Sequence, residues 1–360
     1  MLKSLLMSLP FLTQARAPLT CEVDAVNEYG EPQAVSIPAE RALTVYVDKR
    51  ELVTLMTLGA QPELLVLGFL RNQRLVESVQ EVESITVDWE VGAAAVKTRQ
   101  GISNIEARTA KRVVTTGCGQ GSVFGDLMAE VDKLMLPKAT LSQSQLYGIV
   151  NAIRLQESTY KSAGSVHGCA LFCGEDMLVF VEDVGRHNAI DTIAGWMWMQ
   201  EDVVPTLATS ARGLAGRDSR DASPLSPVQR CSSTLGAAGS SPEGAVSPWG
   251  GPATKLAPAP PSGMDGADKV FYTTGRLTSE MVIKSAQMGV PIVVSRSGIT
   301  QMGHEVAQRI GLCSIGRATN KRFLCYTGRE RLRLQPELTS TQSAAGALDA
   351  ARAGRLSPGG

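Results

Sequence analysis

Three groups of residues in this 360-residue chain could do chemistry. The first is Cys118, in Thr115–Gly125 (TTGCGQGSVFG), flanked by Gly117 and Gly119 and followed by Gly121. Glycine on both sides leaves the backbone almost without steric restraint. A thiol carried on such a loop suits a nucleophile or a sulfur carrier, which reacts as an exposed thiolate. Cys169 and Cys173, in contrast, sit in an apolar run and read as core. The plainer account of Cys118 is a tight turn that happens to hold a cysteine. The second group is Val181–Asp191 (VEDVGRHNAID), where Glu182, Asp183, Arg186, His187 and Asn188 crowd around Gly185. The third is Thr274–Arg276, where Arg276 follows Gly275.

The elements around these groups decide what they can do. Leu178–Val181 (LVFV) is a short apolar strand, and Ala189-Ile190-Asp191 opens a helical pattern that runs through Trp196–Met199. A strand-to-helix turn aims backbone N–H groups and an arginine at one point, which suits a phosphate or another anion. A solvated loop with local ion pairs would use the same residues. Val270–Thr274 is a second strand, turned by Gly275-Arg276 into a helix over Glu280–Met288 that Thr278 or Ser279 can cap. Gly289 is placed to end that helix, with Pro291 just beyond. Pro291–Ser295 is the next strand and Thr300–Ile310 the next helix, stopped by Gly311. LCSIGR and RFLCYTG close the series. Strands alternating with helices of about ten residues predict an α/β sheet with helices on its faces. Arg186 and Arg276 occupy the same kind of turn, so one sheet edge bearing both would make an anion site.

Gly117–Gly119 (GCG), EDVGRHNA-D, TGRLTSEMVIK-A--G-P and the closing IGR---KRF resemble the formate dehydrogenase accessory sulfurtransferase family. Val166-His167 falls in the expected order, and Glu40–Asp48 with Leu65–Leu70 is similar to that family's opening strand and helix. The resemblance covers about residues 35–200 and 268–332. It implies an α/β/α sandwich like cytidine deaminase, with an added N-terminal region, and a homodimer. It also implies a sulfurtransferase that takes persulfide sulfur from a cysteine desulfurase. The sulfur would pass to a molybdenum cofactor, bis-molybdopterin guanine dinucleotide, bound as substrate and destined for formate dehydrogenase. Carried over, Cys118 is the persulfide cysteine. Arg317, Ala318, Thr319, Asn320, Lys321 and Arg322 (RATNKR) hold the nucleotide end, with Arg186, His187, Asn188 and Arg276 completing the pocket. The basic members of that stretch suit phosphates, although a solvated basic loop would read the same.

The chain departs from the family pattern in one place. The family's loop commonly carries a second cysteine three residues after the first, where this chain has Gly121. A relay between two loop thiols is therefore unsupported, whereas a persulfide on Cys118 alone is chemically sufficient. The alternative function is a chaperone that binds and delivers the guanine dinucleotide without transferring sulfur. A family member inactivated by its insert is a third reading. A zinc site is not expected: His167-Gly168-Cys169 puts cysteine where a deaminase needs glutamate, and no PCxxC follows.

Composition bounds the rest. Thirty-five basic and 35 acidic residues cancel, which does not suggest nucleic-acid binding. Seven cysteines without framework spacing fit a reducing, cytoplasmic setting. No apolar run approaches the roughly 18 residues of a membrane span. Residues 1–34 read as an N-terminal extension; Met1–Thr20 carries Lys3 and Arg16 and no acid, so a short transit peptide is the other reading, although Pro10 interrupts its helix. Residues 35–202 and 268–332 form the expected sulfurtransferase domain. Val203–Ala267 holds nine of the 18 prolines and reads as a disordered low-complexity insert, and residues 333–360 as a disordered tail.

Overall fold

Two sheets organise the chain in the computed structural model, which describes residues 9–102, 105, 131, 134–156, 158–200 and 264–338. The first sheet grows from β4 (Arg41–Val47) and β5 (Arg50–Thr57), an antiparallel pair. Leu43, Val45 and Val47 alternate inward along β4, the period of two that a half-buried strand requires. β6 (Val82–Asp88), β7 (Ala93–Thr98) and the short β1 (Phe11–Leu12) complete the order β1-β6-β7-β4-β5. β1 runs parallel to β6, so part of the segment before residue 35 belongs to this sheet. A separate two-stranded hairpin, β2 (Thr20–Val26) and β3 (Pro32–Pro38), follows β1 and runs across the boundary expected at residue 35.

The second sheet has the order β10-β9-β11-β12-β13-β14, formed by β9 (His167–Cys173), β10 (Asp176–Asp183), β11 (Lys269–Thr273), β12 (Ile292–Ser295), β13 (Cys313–Thr319) and β14 (Arg322–Thr327). β9 is antiparallel to β10 and to β11, and β11, β12 and β13 are mutually parallel, so β10 to β13 point one way with only β9 reversed among them. β11 and β12 are buried at every residue, as parallel strands covered on both faces must be. One face carries α4 (Arg186–Met199), α5 (Ser279–Gln287) and α6 (Gln301–Arg309), packed on Leu171, Phe271 and Val293. The other face carries α2 (Gln143–Leu155) and the short parallel pair β8 (Leu141–Ser142) and β15 (Leu332–Arg333), packed on Phe172, Tyr272 and Ile315. A short helix, α3 (Thr159–Ala163), precedes β9.

α1 (Pro62–Asn72) lies on the first sheet and against α4. Its sequence is apolar on nearly every side because it is covered on two. The crossing is possible only with glycine on both helices. A Cβ on Gly68 would sit 1.6 Å from the Asp191 carbonyl oxygen, and one on Gly195 would sit 2.0 Å from that of Leu64.

The strand–helix series of the C-terminal half forms as the turn residues predict. α5 and α6 follow the N-caps Thr278 and Thr300, and Gly289 (φ 75°) and Gly311 (φ 66°) supply the left-handed residues just past their ends. α4 begins at Arg186, three residues before the expected Ala189, because Gly185 already serves as its N-cap. Two expected boundaries move outward. The described chain resumes at Met264, whose N–H donates to the Met197 carbonyl at 3.0 Å, ahead of the boundary drawn at 268. At the other end it continues past 333 to Leu338. Gln335 accepts from Ser144 N–H through its side chain (2.9 Å) and donates its own N–H to Gln143 (2.8 Å), satisfying orphan groups where α2 begins. Cys118 and residues 203–263 lie outside the described residues. Among the described residues, no helix is long and apolar enough to cross a membrane, and no cluster of ligating side chains could hold a metal ion.

Candidate functional site

The shared direction of β10 to β13 brings their carboxyl ends to one edge of the sheet, where α4, α5 and α6 begin. Ligands of open α/β sheets bind outside this edge, and the helix N-termini add partial positive charge. An arginine stands at or near the end of each strand: Arg186 after β10, Arg276 after β11, Arg296 after β12 and Arg317 two residues before the end of β13. Arg276, Arg296 and Arg317 are exposed, whereas Arg186 is only 6% exposed.

The turn after β11 is shaped around Arg186. Gly275 N–H donates to Thr273 Oγ1 (3.1 Å), and Ser295 Oγ donates to the Gly275 carbonyl (2.7 Å), so hydroxyls from two strands hold this backbone. A Cβ on Gly275 would lie 2.9 Å from Arg186 Cδ, and glycine leaves that space to the guanidinium stem. The two arginine turns therefore meet. Their joint effect reaches His167 at the start of β9: burial, then the charges of Arg186 and Arg276, hold its imidazole below the ordinary pKa. The half-buried ring is thereby biased toward its neutral form.

Beside this edge opens a cleft of about 710 Å3, lined by His167 and Gly168, by Tyr272 and Thr274, by Arg296 and Ser297, and by Ala318, Thr319 and Asn320. α2 and α3 contribute Val150, Ile153, Arg154, Tyr160 and Lys161. Apolar and aromatic surface interspersed with cations can take a flat ring system and an anionic tail together. Glu182 also lines the cleft, but its carboxylate accepts from the N–H groups of Thr159 (2.5 Å) and Tyr160 (3.2 Å). It thereby fixes the start of α3.

The rest of the VEDVGRHNAID run faces the interior. Asp183 accepts from Thr57 Oγ1 (2.5 Å), Leu58 N–H (3.1 Å), Gly185 N–H (3.1 Å) and Asn188 Nδ2 (2.7 Å). Burial raises the pKa of Asp183, while these four donors oppose the rise. Asn188 also donates to the Met56 carbonyl (2.6 Å), so the pair ties the end of β5 to the start of α4. His187 Nε2 lies 3.2 Å from a Glu280 oxygen, Glu280 lies 3.5 Å from Lys284 Nζ, and Lys284 donates to Asp191 at 2.8 Å. Asn72 completes the chain, donating to Asp191 at 2.7 Å.

Of the residues singled out for the nucleotide end, Ala318, Thr319 and Asn320 line the cleft, while Arg317, Lys321 and Arg322 are exposed beside it. Arg317 and Asn320 both adopt φ 51°, and the β13–β14 pairing is irregular between Gly316 and Thr319, so RATNKR is a bulged hairpin end. Arg317 N–H donates to the Ser297 carbonyl (2.5 Å), which holds this bulge against the end of β12. Arg186 and Arg276 meet at the edge, whereas His187 and Asn188 are buried at 3% exposure each with their side chains in internal contacts. Sequence reasoning passed over Arg296, although VVSR repeats the strand-then-arginine pattern of VEDVGR and YTTGR. It also gave no role to Arg154, Tyr160 and Lys161, which carry no motif. Cys169 donates to Thr273 Oγ1 at 3.3 Å, and burial pushes its thiol up to about 12, leaving it a protonated core residue.

Comparison with known proteins places this architecture. The model of the FdhD/NarQ family matches residues 38–217 and 259–333, and the chain belongs to that family. The sulfur carrier protein FdhD of Halalkalibacterium halodurans is 24% identical over 299 residues, covering 82% of this chain and 88% of the relative. That of Bacillus subtilis is 24% identical over 309 residues, covering 85% and 94%. A crystal structure assigned to a formate dehydrogenase accessory protein of Desulfotalea psychrophila superposes with a TM-score of 0.56 at 19% identity. It covers 88% of this chain and 100% of that one, a likeness of fold.

Proposed function

We propose that this chain is a cytoplasmic sulfur carrier for the molybdenum cofactor of formate dehydrogenase. Cys118, as thiolate, attacks the outer sulfur of a cysteine desulfurase persulfide. The new S–S bond forms as the old one breaks, and the desulfurase cysteine leaves as its thiolate. The Cys118 S–S bond would then break, leaving Cys118 as its thiolate, and the outer sulfur would pass to a bis-molybdopterin guanine dinucleotide held as cargo in the cleft. The reduced molybdenum of that cargo would supply the two electrons that make the sulfur a sulfide ligand before insertion into formate dehydrogenase. The observation that carries this reading is the arginine-tipped edge of β10–β13 beside a cleft with apolar, aromatic and cationic walls. Arg276, Arg296 and Arg317 suit the phosphates, Arg186 underlies them, and Thr319 and Asn320 face the nucleotide. The homodimer and the deaminase-like description of the sandwich belong to the same proposal.

A second reading is favoured by Gly121, which stands where the family carries another thiol. In it the chain binds and delivers the dinucleotide without moving sulfur. Intact-protein mass spectrometry after incubation with a cysteine desulfurase and cysteine separates the two. A gain of one sulfur, reversed by reductant and missing from Cys118→Ala, supports the carrier. No gain in folded wild-type protein that still binds guanine nucleotide establishes the chaperone.

A further inference from the structure

The β2–β3 hairpin has no place in the core. None of its residues from Thr20 to Pro38 is buried, and its main contact within the chain is β3 against α3. Two strands alone are marginal in water, yet this ribbon is built for rigidity at its tip. Asn27 Oδ1 accepts from the N–H groups of Tyr29 and Glu31, both at 3.0 Å, and Asn27 Nδ2 donates to Glu31 at 3.0 Å. This turn holds out Tyr29, which is 79% exposed. A rigidly presented tyrosine is a frequent anchor of protein interfaces.

The ribbon is also two-faced. Cys21 opposite Ile37 and Val23 opposite Val35 make an apolar face, while Glu22 opposite Ser36 and Asp24 opposite Ala34 make an acidic one. Glu28 and Glu31 add charge at the tip, and residues 20–38 contain no lysine or arginine. Among the described residues, none of these four carboxylates pairs with a cation. A complementary surface lies elsewhere on the same chain. Among the described residues β14 is an edge strand of the second sheet; Arg322 opens it, Lys321 precedes it and Arg329 follows it, with Glu330 the first acid beyond. Leu324, near the middle of that strand, is 48% exposed. An open edge with an exposed leucine invites pairing with another chain.

We propose that the β2–β3 hairpin is a docking arm that seats on the β14 edge of a second copy of this chain. Edge-to-edge pairing continues both faces of the ribbon into the sheet: Val23 and Ile37 supply apolar contact on one face, and Glu22 and Asp24 on the other approach Arg322. The tip with Tyr29, Glu28 and Glu31 approaches the cations that flank β14, Lys321 and Arg329. Two-fold symmetry makes the exchange reciprocal, each copy giving an arm and receiving one. The inference deepens the homodimer of the proposed function and is independent of the sulfur chemistry of Cys118.

Sedimentation velocity of the full chain over a micromolar concentration series tests it. Wild type is expected to dimerise, with an affinity that falls as salt rises. Glu22→Lys with Asp24→Lys is expected to weaken the dimer at least about tenfold. Arg329→Glu is expected to weaken it in the same direction, and combining it with the hairpin changes to restore part of the loss. Thermal melts by circular dichroism confirm the fold, which these unburied positions leave intact. A monomeric wild type, a dimer indifferent to the hairpin changes, or a combined variant no tighter than the hairpin variant would each overturn the proposal. Persulfide loading measured on the same samples keeps the two questions apart, since a monomer that still loads Cys118 rejects only the arm.

Discussion

Lys284→Met tests the idea that the buried charges of VEDVGRHNAID and α5 hold the α4 layer in place. Lys284 is 0% exposed, with Nζ 2.8 Å from Asp191 and 3.5 Å from Glu280. At an effective dielectric constant of about 20, these contacts are worth roughly 6 and 5 kcal/mol before desolvation. Methionine keeps most of the volume but strands two carboxylates in the interior. Breaking a buried pair from one side costs about 3–5 kcal/mol, which is about 6–20 °C in Tm for a domain of this size. The pH dependence gives the sharper reading. Burial raises the pKa of Asp191 and Lys284 pulls it back, so without the ammonium it rises further. A carboxyl with a raised folded-state pKa binds its proton more readily in the native state, so the deficit of the variant should shrink as pH falls from 8 to 5. For Lys284 itself the pH dependence runs on the alkaline side. Burial alone would lower the Lys284 ammonium, but Asp191 and Glu280 carry it above its ordinary value. Its contribution is therefore complete below the usual lysine range, about 10.4, and is lost as pH rises through the raised value. Differential scanning calorimetry from pH 5 to 8 measures the first effect, and alkaline unfolding the second. A Tm loss under about 2 °C, or a deficit that grows on acidification, would refute the reasoning.

Three further outcomes follow from the same geometry. Gly68→Ala drives a methyl to within 1.6 Å of the Asp191 carbonyl at the α1–α4 crossing, so the cost is expected at or above the ~1–3 kcal/mol of ordinary overpacking, read by urea denaturation. Gly275→Ala puts a methyl 2.9 Å from Arg186 Cδ; with the fold intact, guanosine diphosphate should bind about tenfold more weakly by calorimetry, the loss of one charged hydrogen bond of ~1.5 kcal/mol. Arg276→Leu removes a like charge from His167, so the imidazole midpoint in proton NMR should rise toward the ordinary histidine value, and an unmoved midpoint would show that Arg276 does not act on it.

The strand–helix series from Lys269 to Arg309 was legible because its signals are local. Continuous apolar runs marked the buried strands, and Thr278, Gly289, Thr300 and Gly311 marked where helices begin and end. The arginine turns at Arg186 and Arg276 were legible for the same reason. Arg296 was missed although its signal was equally local. The hairpin β2–β3 was missed because most of it falls in residues 1–34, read only as an N-terminal extension, and its alternation is carried by few apolar residues.

Which members of VEDVGRHNAID would face outward was not legible at all. Along three residues, Arg186 meets the Gly275–Arg276 turn while His187 and Asn188 turn inward. The difference comes from partners far away in the chain: Thr57 for Asp183, 126 residues distant, Asn72 for Asp191 at 119, and Lys284 for Asp191 at 93. Charged residues in a row look alike in sequence, because a solvated turn and a buried network use the same types. The strand–helix alternation of Lys269–Arg309, its capping residues and the glycine-flanked Cys118 are local properties that the amino-acid order determines by itself. The inward network, the α2–α3 wall of the cleft and the meeting of the two arginine turns exist only once packing has removed water from some charges and left it on others.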